Sequence, residues 1–332
     1  MTNEQINEKL QNRRFKNGYN PPKEDLIFSI TQGEKVHTIG NLQSIVCFQG
    51  LPKAGKSSFI TTCISSAFTT WDFFGMKLNF PPNRKRLCFI DTESSESDYY
   101  NILHRIKSQM ICDPLPHNFD SFLFREDAPA DIITMINVYL EQNSDCSILV
   151  IDGILDLIAD FNSVDQSFYL IQWLKTITKR FNILVLCVLH LGKKDQNSIG
   201  HIGSFLDRKS QSVLKVTKNK ENKTIDLEPH FLRSSDDFDP IRIMNINGNF
   251  VQIIDAQNNT DDKISGIDKT RVIFNLLTEP KSYTQLLDDL SEMVGKGKTT
   301  CKSILKNWIN EGLIVKKGNM YEKNKGSRSH PY

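Results

Sequence analysis

Four runs of nearly unbroken apolar character punctuate the chain: Ser44 to Gly50, Arg86 to Asp91, Cys146 to Asp152 and Asn182 to His190. Apolar runs without alternation predict strands buried on both faces. Between them, residues 57–68, 98–110, 131–142 and 164–181 place apolar side chains at helical spacing, which predicts amphipathic helices. Strands and helices in alternation imply an α/β fold, a mostly parallel sheet flanked by helices. Residues 27–30 and 35–38 read as a hairpin across Thr31-Gln32-Gly33-Glu34. Segments 212–217, 224–227, 241–245 and 250–254 read as short strands extending the sheet. Two stretches read as loops: 69–83, whose Trp71, Phe73, Phe74 and Phe80 are expected to pack, and the glycine- and lysine-containing 191–203.

Polar stretches set the boundaries. Residues 1–24 read as an N-terminal arm stopped by Pro21-Pro22, and 25–255 as the core. Residues 256–266 contain "AQNNTDDK" and read as a linker. From 267 to 323 the pattern changes to three helices (269–277, 282–290, 298–311) and a small hairpin (313–316 with 320–322), the order of a winged helix-turn-helix. In the third helix Cys301, Ile304, Leu305, Trp308 and Ile309 can face a core. Lys298, Lys302 and Lys306 then recur on the outward face as a candidate DNA-binding stripe. Residues 324–332 read as a disordered tail.

Composition narrows the class. The chain has 332 residues, 39% hydrophobic and 24% charged, the profile of a soluble protein of about two domains. No run approaches the roughly 20 apolar residues of a membrane span. The polar N-terminus does not resemble a secretory signal. Seven cysteines, with no C-x-x-C pair, suit a reduced cytoplasm better than a disulfide framework or a zinc site. Net charge is +2, unevenly spread: residues 266–332 carry 12 Lys/Arg against 7 Asp/Glu, leaving −3 on the rest.

The first strand runs into Gly50-Leu51-Pro52-Lys53-Ala54-Gly55-Lys56-Ser57-Ser58, a G-x-x-x-x-G-K-S pattern between a strand and a helix. In that context the glycines let backbone N–H groups turn toward a phosphate, and the new helix adds its free N–H groups and dipole. Lys56 can reach the β- and γ-phosphates and Ser57 a Mg²⁺ ion. A nucleoside triphosphate and Mg²⁺ are therefore the expected ligands; no local motif fixes the base, and ATP is the triphosphate expected. Asp152, closing its strand, is the expected second metal contact through water. Glu93, just past the second strand, is the expected general base, on the premise that its strand neighbours that of the phosphate loop; Asp91 and Glu96 compete for the role.

"FIDTE", "LVIDG" and "LVLCVLH" after the phosphate loop make residues 35–255 resemble the RecA-like core ATPases, most nearly the RepA/DnaB-type hexameric helicases of plasmids, phages and mobile elements. The resemblance implies Glu93 as catalytic base and His190 as γ-phosphate sensor. It implies Arg233 as a finger reaching a neighbouring subunit's site, with Arg242 and Arg208 as rivals. Such helicases carry a Lys two residues before the finger, where this chain has Phe231. Segments 160–165 and 193–203 would be channel loops, with Lys193, Lys194 and His201 on single-stranded DNA. The expectation is a cytoplasmic, ring-forming ATPase and replicative-type DNA helicase, assembled as a homo-hexamer with duplex at the winged helix. An ATP-gated DNA-binding regulator or helicase loader with little motor activity is the alternative.

Overall fold

The computed structural model describes residues 1–14, 17–18, 25–112, 114–192, 200–246, 249–253, 273, 276–277, 279–294, 297–310 and 312–323. Helix α1 (Asn3–Asn12) opens the chain, closed at its start by a Thr2/Gln5 capping box, with none of its residues buried. Strands β1 (Leu26–Gln32) and β2 (Lys35–Asn41) form the expected antiparallel hairpin. Strand β3 (Ile45–Gly50) is wholly buried and leads through the glycine loop into α2 (Lys56–Ala67).

Helix α2 is unusual in being both hydroxyl-rich and buried. Its side chains satisfy themselves: Thr61 and Thr62 donate to the Ser58 carbonyl, Ser65 to Thr61, and Ser66 to Cys63. Gln109 then bridges Ser65 and Thr62 from the neighbouring helix. The hydroxyls of Thr61, Thr62, Ser65 and Ser66 thus all have partners, the condition for burying polar groups cheaply.

The stretch 69–83 departs from the loop expectation. It holds β4 (Met76–Leu78), which pairs with β1 to complete a small sheet in the order β2-β1-β4. Its aromatics do pack: Phe73 and Phe74 are buried, and Phe68 meets Phe80 edge-on. Strand β5 (Arg86–Asp91) and α3 (Glu96–Met110) follow. Then comes β6 (Phe119–Leu123), a strand absent from the sequence reading.

Helix α4 (Pro129–Gln142), β7 (Cys146–Asp152), a 3-10 turn (Ile154–Leu157), α5 (Val164–Arg180) and β8 (Leu184–His190) match the pattern closely. Segment 200–203, expected in a loop, instead begins helix α6 (Gly200–Lys209), with residues 193–199 outside the described set. Strands β9 (Ser212–Lys218), β10 (Thr224–Leu232), β11 (Ile241–Ile246) and β12 (Asn249–Gln252) then extend the sheet.

The main sheet has nine strands in the order β12-β11-β10-β9-β3-β8-β7-β5-β6. The six from β9 to β6 run parallel and the last three add antiparallel. Alternate residues of each central strand face two different cores. One packs against α2, α3 and the small sheet; the other packs against α4, α5 and α6. Filling both faces explains the unbroken apolar runs.

Strand β13 (Lys281–Ser282), α7 (Tyr283–Val294), α8 (Lys298–Asn310), β14 (Ile314–Lys317) and β15 (Met320–Lys323) gather around a third core containing Leu286, Leu290, Cys301, Leu305 and Trp308. Of the helix expected over 269–277, Ile273, Leu276 and Leu277 are described and buried in that core. The linker 256–266 and the tail 324–332 lie outside the described residues. Among the described residues no helix is long and apolar enough to cross a membrane.

Candidate functional site

The loop after β3 owes its shape to two glycines. A Cβ on Gly50 would stand 2.4 Å from the Val216 carbonyl oxygen, so the loop presses on β9 where no side chain fits. Gly55 has φ +98 and a Cβ there would meet Ile225 at 2.7 Å, a conformation glycine adopts without strain. Within the loop Ala54 N–H donates to the Leu51 carbonyl and Ser58 N–H to that of Gly55. The N–H groups of Lys53, Gly55, Lys56 and Ser57 find no partner among the described residues. Such free donors at a helix start form an anion cradle.

Parallel register brings the acids to the same edge. Gly50 pairs with His190 across β3 and β8, and Asp91 pairs with Asp152 across β5 and β7. Lys56 folds back: its Nζ donates to the carbonyls of Gly50 (2.8 Å) and Leu51 (2.9 Å) and sits 2.9 Å from His190 Nδ1. On the far side of that ring, His190 Nε2 lies 2.9 and 2.8 Å from the two Glu93 oxygens. An ammonium has no lone pair, so Nδ1 is the acceptor and Nε2 carries the proton donated to Glu93. The result is a three-residue chain, Lys56 to a neutral His190 to Glu93. Beside it Ser57 Oγ donates to Asp152 Oδ2 at 2.9 Å.

The strand carrying Glu93 is not the neighbour of β3, contrary to the sequence expectation; β8 and β7 stand between them. His190, ending β8, spans the gap. Of the competing acids, Asp91 is buried and its Oδ1 accepts from the N–H groups of Glu93 and Ser94, so it shapes the turn that aims Glu93. Its Oδ2 is buried without a hydrogen-bond partner in the structure. Glu96 is turned into the first turn of α3. Thr92 ties the strand ends together, donating to Asp156 Oδ2 at 2.7 Å.

Burial sets the ionisation. Asp152 is pushed up to about 7 by desolvation, with Asp91 and Glu93 adding and the Ser57 hydrogen bond opposing. Lys56 is pulled down to about 8 by desolvation, held up in part by Glu93 and Asp152. Asp156 is raised, chiefly by desolvation. A buried lysine and a buried carboxylate near neutrality suit a site that awaits counter-charges.

The remaining candidates separate from this cluster. Arg233 follows β10, whose end pairs with Ser212, level with Val46 of β3. That is four residues, about 13 Å at strand rise, toward the opposite edge from Gly50. Its guanidinium donates to the Arg208 carbonyl. Rival Arg242 is paired with Asp226 at 2.8 Å, and rival Arg208 bonds back to Ser204. His201 is exposed on the first turn of α6. Lys193 and Lys194 lie outside the described residues. Lys302 and Lys306 line a groove of about 330 Å³ with Tyr283 and Ile309, while Lys298 is ion-paired to Asp288 at 2.6 Å.

Sequence reasoning missed two participants. Thr92 sits inside "FIDTE" without a role of its own and Asp156 carries no motif; their contact emerges only once β5 and β7 are paired. It also passed over Lys215 and Lys218 on β9 and Lys220 just beyond it, a lysine run beside the phosphate loop. Their signal was in the sequence, as "KVTKNK" ending a strand. No protein-family model matches the chain, and no curated protein matches it.

Proposed function

We propose that the chain is a Mg²⁺-dependent ATPase with a RecA-like core, working as a ring, as a hexamer, and acting on DNA as a replicative-type helicase of a mobile element or phage. The observation that carries this is the Lys56–His190–Glu93 chain set beside the Ser57–Asp152 pair. It joins an anion cradle, a metal-binding hydroxyl–carboxylate pair and a candidate base within hydrogen-bond reach.

The residues fit the ligands. The free N–H groups of Lys53, Gly55, Lys56 and Ser57 suit phosphate oxygens, and Asp152 with Ser57 suits a hard divalent cation. Bound there, Mg²⁺ would neutralise charge on the β- and γ-phosphates. Lys56 would exchange the Gly50 and Leu51 carbonyls for those phosphates. That exchange frees His190 Nδ1 and reorients the ring, so Glu93 is released to orient and deprotonate a water. Arg233 lies too far from its own cradle to serve it, so in this reading it acts on an adjoining copy. Residues 281–323 are read as a winged helix whose Lys302 and Lys306 touch duplex phosphates.

Single-stranded DNA should raise ATP turnover severalfold, and Lys56→Ala should abolish turnover and strand separation together. Strand separation surviving in Lys56→Ala removes the motor. A second reading, an ATP-gated DNA-binding regulator or loader, draws on the basic face of α8 standing over a core of its own. It requires ATP-dependent duplex binding with little turnover.

A further inference from the structure

On the β9 side of the phosphate loop, away from Lys56 and the acids, lies a cleft of about 460 Å³. Leu51 and Leu191 contribute its apolar floor. Lys53, Lys215, Lys218 and Lys220 contribute its charge, and no acid among the described residues lines it. Lys53, Lys218 and Lys220 are exposed and Lys215 is half-buried. None of the four forms an ion pair among the described residues. Across the β9–β10 ladder Glu228 stands opposite Lys215 without pairing to it, and Asp226, opposite Thr217, is held by Arg242; neither lines the cleft.

We propose that this cleft is a second phosphate-chain site, separate from the cradle. Four cations around one concavity, none of them in an ion pair among the described residues, repel each other and gain when a polyanion enters. A chain's own triphosphate cannot supply it. In the ATPase reading its phosphates would be held at the cradle by Lys56 on the β8, β7 and β5 side of the loop, whereas the cleft lies on the β9 side. The ligand must therefore come from outside the chain. Two sources present the same chemistry: the backbone of a single-stranded nucleic acid, or the triphosphate lodged in an adjoining copy. The second source rests on the ATPase reading, because it needs the loop to hold a nucleotide. The first does not.

The test uses the full chain and the double variant Lys218→Ala/Lys220→Ala, both exposed positions. Anisotropy of a labelled oligothymidylate is followed across salt, and binding of a fluorescent ATP analogue is measured in parallel. If the cleft takes nucleic acid, the logarithmic salt slope drops by about 1.4, at about 0.7 per single-strand phosphate, with nucleotide affinity unchanged. If it serves a neighbour's triphosphate, the salt slope holds while turnover of the assembled protein falls at least tenfold. Mixing the double variant with Lys56→Ala, which keeps its lysines, should then restore turnover in part. An unchanged slope with unchanged turnover overturns the proposal. Lys56→Ala alone separates the two readings: if it binds nucleotide normally, the ATPase reading fails, while the oligothymidylate arm still decides the cleft.

Discussion

The two flanks of the phosphate loop are built on opposite principles. Toward β8, β7 and β5 Lys56 and Asp152 are buried and His190 half-buried, and the exposed Glu93 and Asp156 are tied into the same network at 2.7–2.9 Å. Toward β9 the exposed Lys53, Lys218 and Lys220 and the half-buried Lys215 form no ion pair among the described residues. The contrast follows from what each flank must do. A base or a metal ligand works only in one position, so its partners are fixed beforehand. Capture of a polyanion works at a distance and tolerates mobile, hydrated lysines. Pairing therefore marks the candidate chemical flank, and unpaired charge marks the capturing one.

The sharpest way to break this contrast is Glu93→Gln. A general base contributes about 10²–10⁴ in rate. Turnover should fall by that factor while binding of the fluorescent ATP analogue stays within about threefold. The amide can still accept from His190, so folding is preserved. A variant with normal turnover would move the base elsewhere, and the β8 flank would lose its chemical meaning. His190→Ala should cost less, about 10- to 100-fold in kcat, the scale of a hydrogen bond to a charged group. His190→Gln should recover part of it, because an amide can accept from Lys56 and donate to Glu93 at once. Equal loss in both variants would mean that His190 only fills space.

The ease of reading the sequence tracks the same contrast. The glycine loop, the four central strands and Asp152 were legible because burial on both faces forces an apolar run and the register puts its final residue at the site. Strand β6 was not legible: it is an edge strand, and in "FDSFL" only Phe119 is fully buried, so no strong pattern is demanded. Strand β4 is three residues long and hides behind the Asp72–Gly75 turn, where Gly75 has φ +79. Helix α6 was masked by Gly200 and Gly203, poor helix formers, although Ile202, Phe205 and Leu206 have helical spacing. Strand order was the largest gap. Nothing local says that β8 and β7 lie between β3 and β5, so the bridging place of His190 had to come from the topology.

Acidity offers the next test. With Asp152 near 7 and Lys56 near 8, metal-dependent turnover should rise with pH as Asp152 ionises. Nucleotide affinity measured without metal should then fall by up to tenfold per unit above about 8 as Lys56 loses its proton. The product is a bell centred between the two values. Stability gives the sign independently. A carboxyl raised in the folded state favours folding while protonated and loses that contribution as pH climbs from its unfolded value through about 7. Asp152→Asn should therefore raise the melting temperature of the nucleotide-free protein more at pH 8 than at pH 5. The reverse order would mean that Asp152 is ionised and well compensated.

The smallest effect carries the comparison to the third basic surface, the outward face of α8. Lys298, Lys302 and Lys306 share one stripe in the sequence but not one environment. Lys298 is held by Asp288 at 2.6 Å, whereas Lys302 and Lys306 open on the groove beside Tyr283. A lysine already paired must give up its partner to meet a phosphate, so it releases fewer counterions on binding. Measured as the salt slope of duplex binding, Lys302→Ala and Lys306→Ala should each lower it by about 0.9, and Lys298→Ala by much less. Asp288→Ala should raise the slope by freeing Lys298. Equal slopes for the three lysine variants would mean that the Asp288 pair exerts no hold in solution, and pairing would then cease to distinguish capturing lysines from structural ones anywhere on this chain.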